Sequence, residues 1–251
     1  MRVWSKAVLP LSVALLITLG LSTITRGADT NEPNRAQIEE IMRDYILSHP
    51  EVIIESLQRG ELAKRKAAEE KAAAALKTHR DKFENGPLTP VAGNAKGDVT
   101  VVEFFDYRCP YCKRVVPAIQ ELLQTDPNVR YVFQEFPILG DESLTASKAA
   151  LAVWKIAPEK YLEFHVALMQ ARGSLTEERV LKIAESADLN PEQLRAAMND
   201  DAITAQLNRN RQLGQIIGIT GTPAFIVGDQ IIPGAVDLDT LKELIASARS
   251  S

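Results

Sequence analysis

The sequence predicts an α/β domain that carries a helical insertion and is preceded by an N-terminal helical region, and three observations favour this fold class. Residues 99–105 have strand composition, and a helical segment and a second strand at 129–133 follow them. Residues 224–248 repeat strand composition and end in a helix. The stretch between these two parts, about 141–215, has helical periodicity, and so does the chain before residue 86.

The first 27 residues have the composition of an export signal. Arg2 and Lys6 precede an apolar run over residues 7–21, and small residues around Gly27 offer a cleavage site. An uncleaved anchor is the alternative, although the run is short for a membrane span and contains Pro10. In both cases we expect the rest of the chain to lie outside the cytosol.

Residues 28–86 are predicted to form a helical stalk. Ile38, Ile41, Met42 and Tyr45 fall at helical spacing and give one apolar face. This face is either an interface between copies of the chain or a surface that packs on the chain's own catalytic domain. The segment 61–81 is rich in alanine and charge, which is typical of a helix that bridges domains.

Residues 87–251 are predicted to form the catalytic domain. The strand–helix–strand order of its first part implies two parallel strands joined by a crossover helix over 113–124. The insertion divides into several helices, one of which begins clearly at Asn190-Pro191. Its apolar stripes, which include Leu151 and Phe164, are expected to be core. A turn at Gly228-Asp229 joins the last two strands, and Asp237 caps the final helix.

Composition and charge narrow the class of function. The net charge of −4 and the lack of a basic face argue against nucleic-acid binding. An exported chain of 251 residues with only two cysteines, three positions apart, has no disulfide framework. The two cysteines are therefore expected to serve chemistry or metal binding.

The pair Cys109 and Cys112 suits thiol–disulfide exchange, in which a thiolate attacks a disulfide sulfur. A helix is expected to begin at or near Cys109, and the unpaired N–H groups and the dipole of a helix N-terminus favour negative charge there. Pro110 fits the first helical turn, where a missing N–H costs nothing. Cys112, one turn further, is expected to be better buried and to act as the resolving thiol.

The cysteine pair allows three alternatives to exchange chemistry. Structural zinc requires about four ligands, and the three histidines are scattered without ligand spacing, so no metal site is predicted. A structural disulfide that closes so small a ring gains little entropy. Copper(I) binding by two thiolates is chemically reasonable and stays open.

Two further features support exchange chemistry. Thr222-Pro223 stands just before a predicted strand, where a proline can be cis. Glu103 lies within an otherwise apolar strand, so its carboxyl group either faces outward or is buried beside the active site.

The run 102–112, with Cys109-Pro110-Tyr111-Cys112, resembles the active-site segment of the DsbA family of periplasmic thiol–disulfide oxidoreductases. Residues 221–225 resemble the cis-proline loop of that family, and the resemblance covers about residues 87–250. It implies a thioredoxin-like fold, attack by Cys109 and resolution by Cys112. It also implies that Glu103 shuttles a proton for Cys112.

The same resemblance implies a substrate-binding edge made of Thr222 and Pro223 together with Pro110 and Tyr111. Its cis-proline loop would lie against the attacking sulfur and pair with an extended substrate peptide. Two departures from the strong oxidase are the Pro-Tyr dipeptide, which lacks a histidine, and Thr222, which the isomerase members also carry.

The N-terminal region resembles the oligomerisation segment of the suppressor-of-copper-sensitivity C proteins. The two resemblances together imply a periplasmic disulfide isomerase or reductase, linked to copper tolerance, that acts on misoxidised exported proteins. They also imply a homo-oligomer built through the N-terminal helices, a membrane redox partner that keeps the cysteines reduced, and no cofactor beyond the dithiol. A monomeric dithiol oxidase and a copper(I)-binding protein are the alternatives.

Overall fold

The structure is a computed structural model that describes residues 34–250. The chain divides into two compact units, the first ending at Leu57 and the second beginning at Gln58. The predicted export signal, residues 1–27, lies outside the described residues. Within residues 34–250, no helix is both long enough and apolar enough to cross a membrane.

Two helices account for the N-terminal region. Helix α1 spans Arg35–Ser48 and helix α2 spans Glu51–Glu84. The side chain of Asn34 caps α1, and Gln37 returns a hydrogen bond to the Asn34 backbone. This reciprocal pair satisfies two of the N–H groups that a helix N-terminus leaves open.

A five-stranded mixed sheet forms the centre of the second unit, with the strand order β1-β3-β2-β4-β5. The strands are β1 (Val91–Gly93), β2 (Val99–Phe105), β3 (Val129–Glu135), β4 (Ala224–Val227) and β5 (Gln230–Pro233). Strands β2 and β3 are parallel, as the sequence predicted, and the other neighbouring pairs are antiparallel. Strand β1 was not predicted.

Helices cover the sheet and form the insertion between β3 and β4. They are α3 (Pro110–Thr125), α4 (Asp141–Ile156), α5 (Tyr161–Gln170), α6 (Glu177–Ser186), α7 (Pro191–Met198), α8 (Asp201–Ile216) and α9 (Leu238–Arg249). A short 3-10 turn at Pro158–Lys160 precedes α5. Asn190 and Asp237 cap α7 and α9, as predicted. The predicted thioredoxin-like fold with a helical insertion is confirmed.

Two hydrophobic clusters pack against the sheet. The larger one contains residues of α3 to α9, including Leu151 and Phe164 of the insertion, which are core as expected. The smaller one contains Leu76 and Phe83 of α2, packed with residues of β2, β3, β4 and α8. The last turns of α2 therefore belong to the core around the sheet. The boundary at residue 86 between stalk and catalytic domain stays a prediction.

Candidate active site

The first cysteine lies at the start of α3. Cys109 is the N-cap residue of this helix, with extended backbone, and Pro110 occupies the first helical position. The Cys109 N–H donates to the Asp106 carbonyl at 3.0 Å, which holds the loop between β2 and α3. Both cysteines are free thiols, and 4% of Cys109 is exposed against none of Cys112. Cys109 therefore lies at a helix N-terminus, as expected.

The proline loop lies against the first cysteine. The Thr222–Pro223 peptide bond is cis, and the Thr222 carbonyl oxygen accepts a hydrogen bond from Cys109 Sγ at 3.2 Å. The loop reaches this position because β4 pairs with β2, so that Ala224 lies opposite Phe104. Two segments that are 113 residues apart in sequence therefore meet at one sulfur atom.

Glu103 is buried, with 1% of its surface exposed, which decides between the two positions that the sequence left open. The Tyr131 hydroxyl donates to Glu103 Oε2 at 2.8 Å, and Oε1 has no hydrogen-bond partner among the described residues. Burial raises the pKa of Glu103 to about 8, although the Tyr131 hydrogen bond favours the ionised form. The carboxyl group can therefore hold or release a proton near neutral pH.

The second thiol, Cys112, is fully buried, which disfavours its ionisation. Burial raises the pKa of Cys112 well above its ordinary value, and the charge of Glu103 raises it further. A buried thiol beside a carboxylate resists ionisation because both the low dielectric and the like charge oppose a thiolate. Removal of a proton from Cys112 is thus coupled to the state of Glu103.

A buried carboxylate that the sequence analysis missed holds the active-site loop. Asp106 is fully buried and accepts four hydrogen bonds, from the backbone N–H groups of Arg108, Ile138 and Leu139 and from the Ser143 hydroxyl, at 2.7–3.0 Å. These donors lie in the active-site loop, in the loop after β3 and in α4. Asp106 therefore ties the loop that carries Cys109 to the insertion.

Replacing Asp106 by asparagine is expected to lower the free energy of unfolding by about 3 kcal/mol or more, because the amide group turns a donor toward buried donors. Urea unfolding at pH 7 measures this loss. The Asp141→Asn variant, at an exposed position in the first turn of α4, is the matched control and is expected to change stability by less than about 1 kcal/mol. Equal stability of the two variants would contradict this role of Asp106.

A third buried acid, Glu135, lies in the core. Glu135 Oε1 accepts hydrogen bonds from the hydroxyl groups of Tyr107 and Tyr161, each at 3.0 Å, and Tyr107 also contacts His165 Nδ1 at 3.0 Å. Burial raises the pKa of Glu135 to about 8 and lowers the pKa of His165 to about 3. At neutral pH this cluster is therefore largely uncharged, which reduces the cost of burying it.

An apolar groove of about 780 Å³ opens beside the cysteines. It is lined by Tyr111, Arg114 and the loop that contains Thr222 and Pro223, and by Arg65, Ala68, Glu69 and Ala72 of α2. Tyr111 is half exposed, and the Arg114 guanidinium lies 4.9 Å from the centre of its ring. Three of the predicted substrate-binding residues, Tyr111, Thr222 and Pro223, thus share one surface, and Pro110 is exposed next to it.

The described residues hold no cluster of three or more histidine, cysteine or acidic side chains that could bind a metal ion. The expected absence of a cofactor stays a prediction.

Comparisons with known proteins agree with this geometry. The family described as DSBA-like thioredoxin domain matches residues 100–246, and the Copper resistance protein ScsC N-terminal domain matches residues 34–69. Disulfide bond formation protein D of Bacillus subtilis is 31% identical over 166 residues, which cover 62% of this chain and 75% of that protein.

This chain is also similar to solved structures of thioredoxin-like oxidoreductases and ScsC proteins. A thioredoxin-like oxidoreductase from Silicibacter pomeroyi is 45% identical with a TM-score of 0.66, over 68% of this chain and 98% of that one. A linker-deletion variant of Proteus mirabilis ScsC is 30% identical with a TM-score of 0.69, over 86% of this chain and 96% of that one. This chain therefore belongs to the DSBA-like thioredoxin domain family and is a thiol–disulfide oxidoreductase with an ScsC-type N-terminal segment.

Proposed function

We propose that this oxidoreductase is a periplasmic disulfide isomerase or reductase that acts on misoxidised exported proteins. The reduced chain attacks a substrate disulfide with the Cys109 thiolate and forms a mixed disulfide. Either another substrate thiol then displaces Cys109, which isomerises the substrate, or Cys112 displaces the substrate, which reduces it. In the second case a membrane redox partner returns two electrons to the Cys109–Cys112 disulfide.

Each site residue has a role in this scheme. The N-terminus of α3 stabilises the Cys109 thiolate, whereas the Thr222 carbonyl oxygen, 3.2 Å from the sulfur, accepts a hydrogen bond only from the protonated thiol. Pro223 and Tyr111 border the groove that would hold the substrate peptide, next to the exposed Pro110. Glu103 accepts the Cys112 proton when Cys112 attacks the mixed disulfide, and returns it in the reverse step.

The isomerase assignment rests on one observation. The N-terminal helices expose an apolar surface that no other described residue covers. Ile38, Ile41, Met42 and Tyr45 of α1 are each 44–62% exposed and fall on one helical face. Further large apolar side chains are exposed from Val52 to Leu62. Surfaces of this kind mark protein interfaces, and the ScsC N-terminal match covers the same residues.

Oligomerisation would favour isomerisation over oxidation for a geometric reason. Several catalytic sites on joined stalks raise the effective concentration of a second site around one bound substrate. The same assembly would restrict access of a membrane oxidase to each dithiol. The predicted export signal supports the periplasmic location, since disulfide chemistry persists in oxidising compartments.

The Ile41→Glu, Met42→Glu double variant is expected to behave as a single chain, because it buries two charges in the proposed interface. Light scattering measures the mass, and reactivation of a scrambled-disulfide protein in a glutathione buffer measures isomerisation. We expect wild-type protein to be oligomeric and to reactivate the substrate. The double variant is expected to lose reactivation while it still oxidises simple dithiols.

Leu144→Glu, at an exposed apolar position in α4, is the matched control and should retain both the mass and the activity of the wild type. A wild-type protein that is monomeric and only oxidises dithiols would contradict the isomerase proposal and support the oxidase alternative.

Copper(I) binding by the dithiol is a second candidate, favoured by the copper-resistance description of the matching N-terminal segment. It requires one copper(I) ion bound per reduced chain and no binding by the Cys109→Ser variant. Tight binding without turnover on disulfide substrates would make copper sequestration the main function.

A further inference from the structure

A second, polar cleft lies beside the active-site loop. It has a volume of about 560 Å³ and is lined by Arg108, Lys113, Glu142 and the loop 171–175. It shares no lining residue with the apolar groove, which takes Tyr111 and Arg114 from the same helix. The first turns of α3 therefore separate an apolar groove from a polar cleft.

The charge of this cleft is positive, although the whole chain has a net charge of −4. Three cations, Arg108, Lys113 and Arg172, face one carboxylate, Glu142, whose Oε2 lies 3.4 Å from Arg108 Nε. Lys113 Nζ donates to the Ala171 carbonyl oxygen at 2.6 Å, which leaves its charge uncompensated. Arg172 is exposed and has no ion-pair partner within residues 34–250.

A fifth charged group, Arg179 of α6, adds positive charge near the cleft. The pKa of Lys113 is lowered, first by burial and then by the positive charge of Arg179 on α6. Lys113 and Arg179 thus repel each other at this cleft. An anionic ligand would relieve this repulsion, and guanidinium groups bind carboxylates through paired hydrogen bonds.

The cleft begins close to the proposed nucleophile. Arg108 directly precedes Cys109, and the Lys113 N–H donates to the Cys109 carbonyl oxygen at 3.1 Å, one helical turn further. One turn is about 5.4 Å long. A ligand of a few residues' length whose carboxylates rest in the cleft can therefore place a sulfur atom at Cys109.

We propose that this cleft binds the carboxylates of a small anionic thiol of the glutathione class, which exchanges directly with the Cys109–Cys112 disulfide. This inference rests on the proposed thiol–disulfide exchange at Cys109. A small molecule suits the cleft, because its volume lies within the range of roughly 300–1,000 Å³ that is usual for small-ligand sites. The loop 171–175 closes one side through Lys113 and through a bond of 3.1 Å from Leu175 N–H to Glu142.

The reaction balances with two thiol molecules. The first, as a thiolate, attacks Cys109 Sγ, forms a mixed disulfide and releases the Cys112 sulfur, which takes up a proton. The second attacks the ligand sulfur of that mixed disulfide and releases Cys109. The products are the reduced dithiol and one small-molecule disulfide, so two electrons and two protons pass to the protein.

The test measures by stopped flow how fast glutathione and the uncharged 2-mercaptoethanol reduce the oxidised full chain. Arg172→Gln is expected to slow the glutathione reaction by about three- to tenfold, an effect that added salt screens, and to leave the 2-mercaptoethanol reaction unchanged. Arg172→Lys keeps the charge and should stay close to wild type. Arg209→Gln, an exposed arginine on α8, controls for the loss of net charge.

Equal effects of Arg172→Gln on both thiols, or no effect on either, would overturn the anion site. The same result for Arg209→Gln as for Arg172→Gln would also overturn it, because net charge alone would then explain the rates. Failure of the proposed exchange function looks different: the wild-type chain would react with neither thiol.

Discussion

The Cys109→Ser variant is expected to lose thiol–disulfide exchange completely, whereas Cys112→Ser is expected to stop after the first step. A serine hydroxyl is not ionised at neutral pH and does not attack a disulfide, so no mixed disulfide forms without Cys109. Cys112 cannot take over the attack, because it is fully buried and its pKa is raised by burial and by Glu103.

Two readouts separate these variants. Reduction of insulin by dithiothreitol, followed by turbidity, measures turnover, and non-reducing mass spectrometry detects the mixed disulfide with insulin. We expect neither signal for Cys109→Ser and a stable mixed disulfide for Cys112→Ser. A mixed disulfide that accumulates in Cys109→Ser instead would reverse the assigned roles.

Replacing Glu103 by glutamine is expected to increase the free energy of unfolding relative to the wild type. This gain is expected to grow as the pH rises. The folded state raises the pKa of Glu103 from 4.5 to about 8, so the folded chain keeps a proton that the unfolded chain loses above pH 4.5. Stability of the wild type therefore falls between about pH 4.5 and pH 8 and levels off above that range. Over this whole pH range the free energy of unfolding of the wild type falls by on the order of 5 kcal/mol. This amount is the upper limit of the stability that Glu103→Gln can gain.

The same variant is expected to slow the resolving step by about ten- to a hundredfold, because glutamine cannot accept the Cys112 proton. Glu135→Gln is the matched control, since Glu135 is also buried with its pKa raised to about 8 but does not contribute to the pKa of Cys112. Both variants should gain stability at pH 8 in urea unfolding.

Only Glu103→Gln should slow the decay of a preformed mixed disulfide. The decay rate should increase toward pH 8 in the wild type and in Glu135→Gln, but not in Glu103→Gln. Equal kinetics in the two variants would leave Glu103 with a structural role alone.

The strand and helix order was predictable because each element carries its own local signal. The apolar run of β2, the helix that begins at Pro110 and the capped helices of the insertion all follow from composition and spacing. Strand β1 has three residues and follows Pro90, so its only signal is its pairing with β3. The packing of Phe83 onto the sheet could not be predicted either, because the sequence of α2 is polar over most of its length.

The site was predictable where a residue type is unusual for its position. The cysteine pair and Thr222-Pro223 stand out in the sequence, and the fold brings them to within 3.2 Å. Burial of Glu103 was undecided, because its neighbours in β2 are apolar on both faces and give no alternation. Asp106 and Glu135 were missed because, apart from the nearby Arg108 N–H, the partners described for them come from segments at least 26 residues away that only the fold assembles.

The assigned roles require that Cys109 alone presents a reactive sulfur and that Cys112 stays protected until a mixed disulfide forms. Alkylation of the reduced wild-type chain with a limiting amount of iodoacetamide at pH 7, followed by peptide mapping, tests it directly. We predict that the label lies on Cys109 and reaches Cys112 only after unfolding in urea. Label on Cys112 in the folded chain, or equal label on both cysteines, would contradict the account.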